Sequence, residues 1–184
     1  MKGAHRMQII RNTTEFSLKN SCVTLGKFDG VHLGHRKLIS TVVDDKETTS
    51  VVFTFDPLPD APIKKLNPIY TDEQQEAILM ELGVEVLIRY PFSQKEAAMR
   101  AEDFIKDVLI GQLDAKHIVV GRDFHFGHGC VGDYHLLESL SKVYGYRVTV
   151  HDKVYYQGEE ISSSRIRSCI QNKDFVSANY MLGK

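Results

Sequence analysis

The sequence predicts an α/β chain, built as a doubly wound parallel sheet with helices on both faces. Three observations carry that prediction. Short β-rich runs alternate with stretches whose apolar residues recur at helical spacing, the rhythm of strands joined through helices. The chain has 184 residues, of which 42% are hydrophobic, enough to bury one core, and it reads as a single domain over 1–184 without internal repeats. Every segment that carries recognisable chemistry follows an expected strand or opens an expected helix, where doubly wound sheets bind ligands.

The first strand is expected from Cys22 to Leu25, and it runs into a glycine-rich turn. A helix then spans Leu33 to Asp44, marked by Leu38, Ile39, Val42 and Val43 at 3.6-residue spacing. Further strands are expected near Ser50 to Phe55, Glu85 to Arg89, His117 to Gly121 and Arg147 to His151. Between them lie helices over Thr71 to Leu82, with Thr71 and Gln74 as a capping box, over Ala101 to Ile110, and over Asp133 to Tyr144. Val154-Tyr155-Tyr156 and Glu159-Glu160 flank Gln157-Gly158, a small hairpin before the C-terminal helices. Ser162 or Ser163 caps the next helix, and Lys173 to Leu182 forms a closing one.

The segment Gly26-Lys27-Phe28-Asp29-Gly30-Val31-His32-Leu33-Gly34-His35 has the layout of a phosphate site at the mouth of a helix. The first helical turn presents unpaired N–H groups and the positive end of the dipole. Gly26 and Gly30 are expected to take φ values other residues avoid, and Gly34 to leave room for a nucleotide against the backbone. His32 and His35, spaced i, i+3, share one face, so both can touch one oligophosphate and follow charge developing on an α-phosphoryl group. A turn that only reversed the chain has little use for three glycines and a Phe28-Asp29 pair. Asp29 is expected to accept hydrogen bonds from turn amides.

Far downstream, Ile161-Ser162-Ser163-Ser164-Arg165-Ile166-Arg167 offers hydroxyls and then a guanidinium at a second helix start. Arginine grips phosphate oxygens in bidentate fashion and stays charged at any working pH, which suits a pyrophosphate leaving group.

Together the two segments resemble the nucleotidyltransferases that carry an H-x-G-H motif and a late I-S-S-x-x-x-R motif. The chain is similar in particular to the adenylyltransferase module of prokaryotic FAD synthetase. Four stretches carry the resemblance, which covers essentially the whole chain: Leu25 to His35, Phe53-Thr54-Phe55-Asp56-Pro57-Leu58-Pro59, Val119-Val120-Gly121-Arg122-Asp123-Phe124-His125-Phe126-Gly127, and Ile161 to Arg167.

The resemblance implies a Rossmann-like nucleotidyltransferase fold and Mg²⁺-dependent transfer of AMP from ATP to FMN, giving FAD and pyrophosphate. It assigns His32, His35 and Arg167 to catalysis, and Gly26, Phe28, Asp29, Gly30, Gly34, Ser162, Ser163 and Ser164 to ATP. It assigns Phe55, Pro57, Leu58, Pro59, Asp123, Phe124, His125, Phe126 and Gly127 to the flavin, whose flat ring suits aromatic faces and proline edges. Leu58 stands where that family usually has histidine, His125 where it usually has a basic residue, and Ser164 where threonine is common. Met181 to Lys184 fall about where the bifunctional enzymes pass into a β-barrel that phosphorylates riboflavin, so the kinase domain and kinase activity are expected to be absent.

The expected mechanism is in-line attack by an FMN phosphate oxygen on the α-phosphorus of ATP, with His32 and His35 donating to phosphate oxygens and Arg167 neutralising pyrophosphate. Mg²⁺ bound through phosphates needs no dedicated carboxylate cage, and Asp29, Asp56 and Asp123 are its candidate ligands. Two other readings stay open at this point. One is an adenylyl- or cytidylyltransferase for another phosphorylated acceptor, and the other is a flavin- or nucleotide-binding sensor without turnover. Aminoacyl-tRNA synthetases share a related histidine signature but need a tRNA-reading domain and a basic surface.

Lys plus Arg, 23, nearly balance Asp plus Glu, 24, so the net charge of −1 offers no field for nucleic acid and no polybasic membrane patch. No apolar stretch approaches the roughly 18 residues of a membrane helix, and Met1 to Arg6 lack the apolar core of a signal peptide. A cytoplasmic protein is expected, with Cys22, Cys130 and Cys169 as reduced thiols. Oligomeric state is open. A competing constellation, His125, His128, Cys130, Asp133 and His135, offers ligand types for zinc, but one loop supplies them all, and a mobile substrate loop is the preferred reading. Phe53 and Phe104 read as core and Phe55 as a ligand wall, with Pro91-Phe92-Ser93 able to join the same pocket.

Overall fold

The structure is a computed structural model and describes residues 6–62 and 67–184, so Met1 to His5 of the leader reading lie outside the described residues. In chain order its strands are β1 (Gln8–Arg11), β2 (Ser21–Leu25), β3 (Thr49–Pro57), β4 (Val86–Phe92), β5 (Ala115–Gly121) and β6 (Arg147–His151). These six form one parallel sheet in the spatial order β1-β4-β3-β2-β5-β6. The chain winds outward from β2 through β3 and β4, then returns to the other side of β2 for β5 and β6. The strand order therefore reverses between β2 and β5, and ligands of such sheets lie outside the carboxyl ends at that point.

The expected strands are present, and the sheet has one more. β1 is largely exposed and has no apolar run; pairing with the free edge of β4 places it in the sheet, a tertiary cause that local pattern does not carry.

Helices cover both faces. On one, α1 (Leu33–Asp44) and α2 (Asp72–Glu81) bury Leu38, Ile39, Val42 and Leu79 against Val52, Leu87 and Val119. The Thr71 hydroxyl accepts from the Gln74 N–H while the Gln74 side chain takes the Thr71 N–H, the expected capping box. A short α3 (Gln94–Ala97) was not expected, although Ser93 and Glu96 form a second capping box there. On the other face, α4 (Ala101–Asp103) runs into Phe104–Gln112, whose turns widen to i+5 spacing, as in the 3.0 Å bond from the Leu113 N–H to the Val108 carbonyl. This segment and α5 (Tyr134–Tyr144) bury Phe104, Ile105, Val108, Leu109 and Leu137 against Val23, Phe53, Ile88 and Ile118. Asp133 caps α5 and Gly145, at φ +73°, ends it.

The hairpin of β7 (Tyr155–Tyr156) and β8 (Glu159–Glu160) leads into α6 (Ser163–Gln171) and α7 (Phe175–Met181). A small third core of Ile161, Ile166, Ala178, Met181 and Leu182 holds them together. No described helix is long and apolar enough to cross a membrane.

Candidate active site

The loop after β2 is set by its backbone. Of the two glycines expected at positive φ only Gly30 is there, at +80°; Phe28 and Val31 occupy the left-handed region instead, at 50° and 41°. Gly26 serves by size, since a Cβ on it would lie 3.3 Å from the Phe28 ring. Phe28 is fully buried and meets His35 edge-on at 5.2 Å, so this ring supports the histidine pair from below. Gly26, Phe28 and Gly30 line none of the three cavities described below and instead shape the loop beneath them.

His32 is the N-cap of α1, its Nδ1 accepting from the His35 N–H at 3.3 Å, so its ring proton sits on Nε2. The two imidazoles stack, with centroids 3.6 Å apart and planes 15° from parallel. Gly34 makes that stack possible, because a Cβ there would lie 3.1 Å from the His32 ring. Gly34 also borders the first cavity described below. Burial pushes the His32 imidazole down to about 4 and holds His35 well below its ordinary range, with His32 beside it adding to that effect. Both rings are neutral at pH 7, and each keeps one N–H to donate. The His35 Nδ1 is buried and has no hydrogen-bond partner among the described residues.

A pH dependence of stability follows. Between about 4 and the ordinary value of 6.5 the unfolded chain binds a proton at His32 that the folded chain refuses, so stability rises with pH across this window and is lost on acidification. His32 alone accounts for up to about 3 kcal/mol by pH 4. Thermal melting between pH 7 and pH 4 is expected to show that fall, with a shallower slope for His32→Asn, which keeps a capping side chain.

Three cavities line up along the carboxyl edge of the sheet. The first, about 250 Å³, sits at the strand-order reversal and is bordered by His32, His35 and Leu38, by Gly121 and Asp123 after β5, and by Lys153, Ser162 and Ser163. The second, about 330 Å³, is polar and charged: Lys27, Asp29, His35, Thr54, Asp56, Tyr70, Arg89, Ser163, Ser164 and Arg167 face it. The third, about 220 Å³, is walled by Phe55, Phe92, Met99, Phe104 and Phe126, with His125, Gly127 and Cys130 at its border. His35 and Ser163 border both the first and the second, while Lys27 and Phe55 border both the second and the third.

The third cavity is an aromatic box. Phe55 lies 5.4 Å from Phe92 and 6.2 Å from Phe104, and Phe104 lies 5.8 Å from Phe126. Gly127, at φ +76°, lets the loop press on the start of α4, where a Cβ would come within 2.7 Å of Ala101.

Ser162 caps α6, its hydroxyl accepting from the Arg165 N–H at 3.2 Å. The Ser163 hydroxyl donates to the Asp29 carbonyl at 2.8 Å and so ties α6 to the loop after β2. The Arg167 guanidinium pairs with the Asp29 carboxylate and donates to the Asn67 carbonyl at 2.9 Å. The other Asp29 carboxylate oxygen accepts from the Ile69 N–H at 2.9 Å. Asp29 therefore reaches across to another segment and to α6, in place of the turn amides expected.

The flavin assignments divide. Phe55 and Pro57 face the second cavity, and Phe55, His125, Phe126 and Gly127 the third. Asp123 instead faces the first cavity with the histidines, paired with Lys153 at 3.4 Å. Phe124 stacks on Phe126 at 5.5 Å from outside the box. Leu58 and Pro59 lie beyond all three cavities, because the Leu58 N–H bonds the Phe92 carbonyl at 2.9 Å and the chain turns outward, leaving Leu58 exposed. Phe104, read as core, is buried and also walls the third cavity; Phe53 is core alone.

The loop read as a rival zinc site does not gather its ligands among the described residues. Asp133 caps α5, His125 and Cys130 border the aromatic box, and the ring of His128 lies 3.3 Å from the Ala97 carbonyl.

Sequence reading missed Arg89 and Gln75. Arg89 is nearly buried on β4, bonded to Glu76 at 2.9 Å and to the Gln75 side-chain amide oxygen, Oε1, at 2.8 Å. Gln75 in turn donates to the Phe28 carbonyl at 3.0 Å and so braces the strained loop from α2. The available signal was a lone charge inside an apolar strand, since a buried cation demands partners.

The chain matches the FAD synthetase family over residues 14–165. It is 33% identical over 190 residues to the bifunctional riboflavin kinase/FMN adenylyltransferase of Buchnera aphidicola subsp. Acyrthosiphon pisum, covering 100% of this chain and 58% of that protein. It is 34% identical over 168 residues to the FAD synthetase of Listeria monocytogenes serovar 1/2a, covering 88% of this chain and 68% of that one. The chain spans about three fifths of the length of the bifunctional relatives from Buchnera. Among solved structures, one described as a macrolide-efflux protein from Streptococcus pneumoniae superposes with a TM-score of 0.79 at 28% identity, covering 97% of this chain and 62% of that one. With the family match running from before β2 to the first turn of α6, through every cavity-bordering residue named above except Arg167, the chain belongs to the FAD synthetase family.

Proposed function

We propose that this chain transfers AMP from ATP to the terminal phosphate of FMN, giving FAD and pyrophosphate. The observation that carries the reading is the series of three joined cavities, with a shared imidazole and hydroxyl at one junction and a shared lysine and phenylalanine at the other. Adenosine fits the first cavity, the phosphates of both substrates the second, and the isoalloxazine ring the aromatic third. The α-phosphate then lies at the His35 and Ser163 junction, where neutral imidazoles and the α6 N-terminus donate to its oxygens.

An FMN phosphate oxygen, already anionic, forms the new bond to the α-phosphorus as the bond to the β-phosphate oxygen breaks. No protein base or nucleophile is needed. Arg167 and the hydroxyls of Ser163 and Ser164 take the charge of the departing pyrophosphate. Asp56 faces the second cavity and forms no ion pair among the described residues, so it fits Mg²⁺ carried in with ATP, with Asp29 facing the same cavity. Bound there, Mg²⁺ would neutralise phosphate charge while keeping most of its waters. Both substrates are metabolites of the cytoplasm, where we place the reaction.

Lys27 stands between the aromatic box and the charged cavity, with no acidic partner within ion-pair distance among the described residues. It is positioned to meet the FMN phosphate. Lys27→Ala is expected to raise the KM for FMN about tenfold, the worth of one charge-assisted hydrogen bond of about 1.4 kcal/mol, with the KM for ATP unchanged. Steady-state kinetics with each substrate varied in turn checks this.

The reaction itself is tested by following phosphorus. With ATP labelled at the α-phosphorus and FMN as acceptor, label is expected in a flavin product, while γ-label is expected only in pyrophosphate. Label ending in free AMP, or remaining in ATP while FMN is bound, overturns the reading.

A further inference from the structure

A second polar cluster lies at the other end of α1, roughly 18 Å from the histidines by the length of the helix. Cys22 near the start of β2, Asp45 at the C-cap of α1 and His117 near the start of β5 bring a thiol, a carboxylate oxygen and an imidazole nitrogen within 4.8 Å of one another. All three side chains are nearly sealed from solvent. Nothing in the transfer reaction uses them. We propose that Cys22, Asp45 and His117 form a zinc site, with a water as fourth ligand, that ties β2, α1 and β5 together beneath the sheet.

The ligand types are those zinc takes: a thiolate, an imidazole and a carboxylate. A cation already lies against two of the three groups, which also meet each other, with His117 Nδ1 2.9 Å from an Asp45 carboxylate oxygen. The Arg147 guanidinium pairs with the Asp45 carboxylate and approaches His117 Nδ1 to 3.0 Å, yet its side chain is 64% exposed and is free to swing into water. The outer side of the imidazole is also built, because His117 Nε2 sits 2.8 Å from the Thr149 hydroxyl, the kind of second partner that orients metal-bound histidines.

Charge balances in both states. Without metal, the Asp45 carboxylate is matched by Arg147, and Cys22 is a fully buried thiol. When Zn²⁺ enters, Arg147 leaves, the Cys22 proton is released to solvent, and thiolate plus carboxylate match the two positive charges.

The test is titration of the chelator-treated protein with Co²⁺ alone, followed by displacement with Zn²⁺. One Co²⁺ per chain is expected, with a thiolate-to-cobalt charge-transfer band that Zn²⁺ bleaches. The band should vanish in Cys22→Ser and in His117→Gln, and persist in Cys130→Ser and Cys169→Ser. Arg147→Ala, an exposed change that leaves the core intact, should tighten binding about tenfold, the size of effect that neighbours of metal ligands commonly have. If Cys22→Ser fails to fold, His117→Gln and Arg147→Ala decide. Absence of the band in the wild-type protein at saturating Co²⁺ overturns the proposal, as does a band lost in Cys130→Ser, or an Arg147→Ala affinity equal to or weaker than wild type.

Discussion

His35→Ala is expected to slow AMP transfer by about 10²–10³, the cost of removing one donor aimed at developing oxyanion charge. His35 borders both the first and second cavities, so under the proposed transfer its N–H serves the phosphate that changes partners. The loss should fall on kcat, with FMN binding unchanged, because the aromatic box does not include this ring. His32→Ala is expected to lose a similar factor, with an added stability cost of about 1 kcal/mol, since its Nδ1 also caps α1. His35 is therefore the cleaner probe. Rapid-quench measurement of product formed on the enzyme separates chemistry from release, and a His35→Ala protein retaining more than half of the wild-type rate would contradict the assignment.

Arg167→Ala should lose about as much, roughly 10²–10³, and Arg167→Lys should recover little of it, because a planar fork meets two phosphate oxygens where an ammonium meets one. In the structure this guanidinium is held by the Asp29 carboxylate and the Asn67 carbonyl. Under the proposed placement, triphosphate entering the second cavity competes with that pair. Asp29→Asn weakens the competitor while keeping an acceptor for the Ile69 N–H, so the KM for ATP should fall even if kcat drops. A pyrophosphate-release assay on both variants checks the pair: an Arg167→Ala rate within threefold of wild type, or an unchanged KM in Asp29→Asn, would count against it.

Much of the fold was legible because its signals are local. Leu38, Ile39 and Val42 mark α1 by period, Thr71 and Gln74 mark the start of α2 by chemistry, and the strands buried on both faces read as apolar runs. β1 was not legible, since an exposed four-residue strand exists only by pairing with β4. The short α3 had a readable signal in Ser93 and Glu96 that was passed over.

The site divides along the same line. His32, His35, Ser163, Ser164 and Arg167 announce themselves by motif, and all border the first two cavities. Motif does not carry side-chain direction, which decides where the other residues face. Phe28 turns into the core, Asp123 turns toward the histidines, and Leu58 and Pro59 follow a turn into solvent. Gly34 borders the first cavity, and its missing side chain also leaves room for the His32 ring, a packing role that the motif alone does not mark. Arg89 and Gln75 reach the site from a strand and a helix that nothing in their own segments marks as functional.

The most direct measurement is chromatography of the flavins formed when this chain is incubated with ATP, Mg²⁺ and FMN, with riboflavin in a parallel reaction. FAD and pyrophosphate are expected in equal amounts from FMN. Riboflavin, which has no phosphate to attack the α-phosphorus, should give no FAD. Saturable ATP and FMN binding with no FAD formed would contradict adenylyl transfer to FMN and point to a binding protein or a different phosphorylated acceptor.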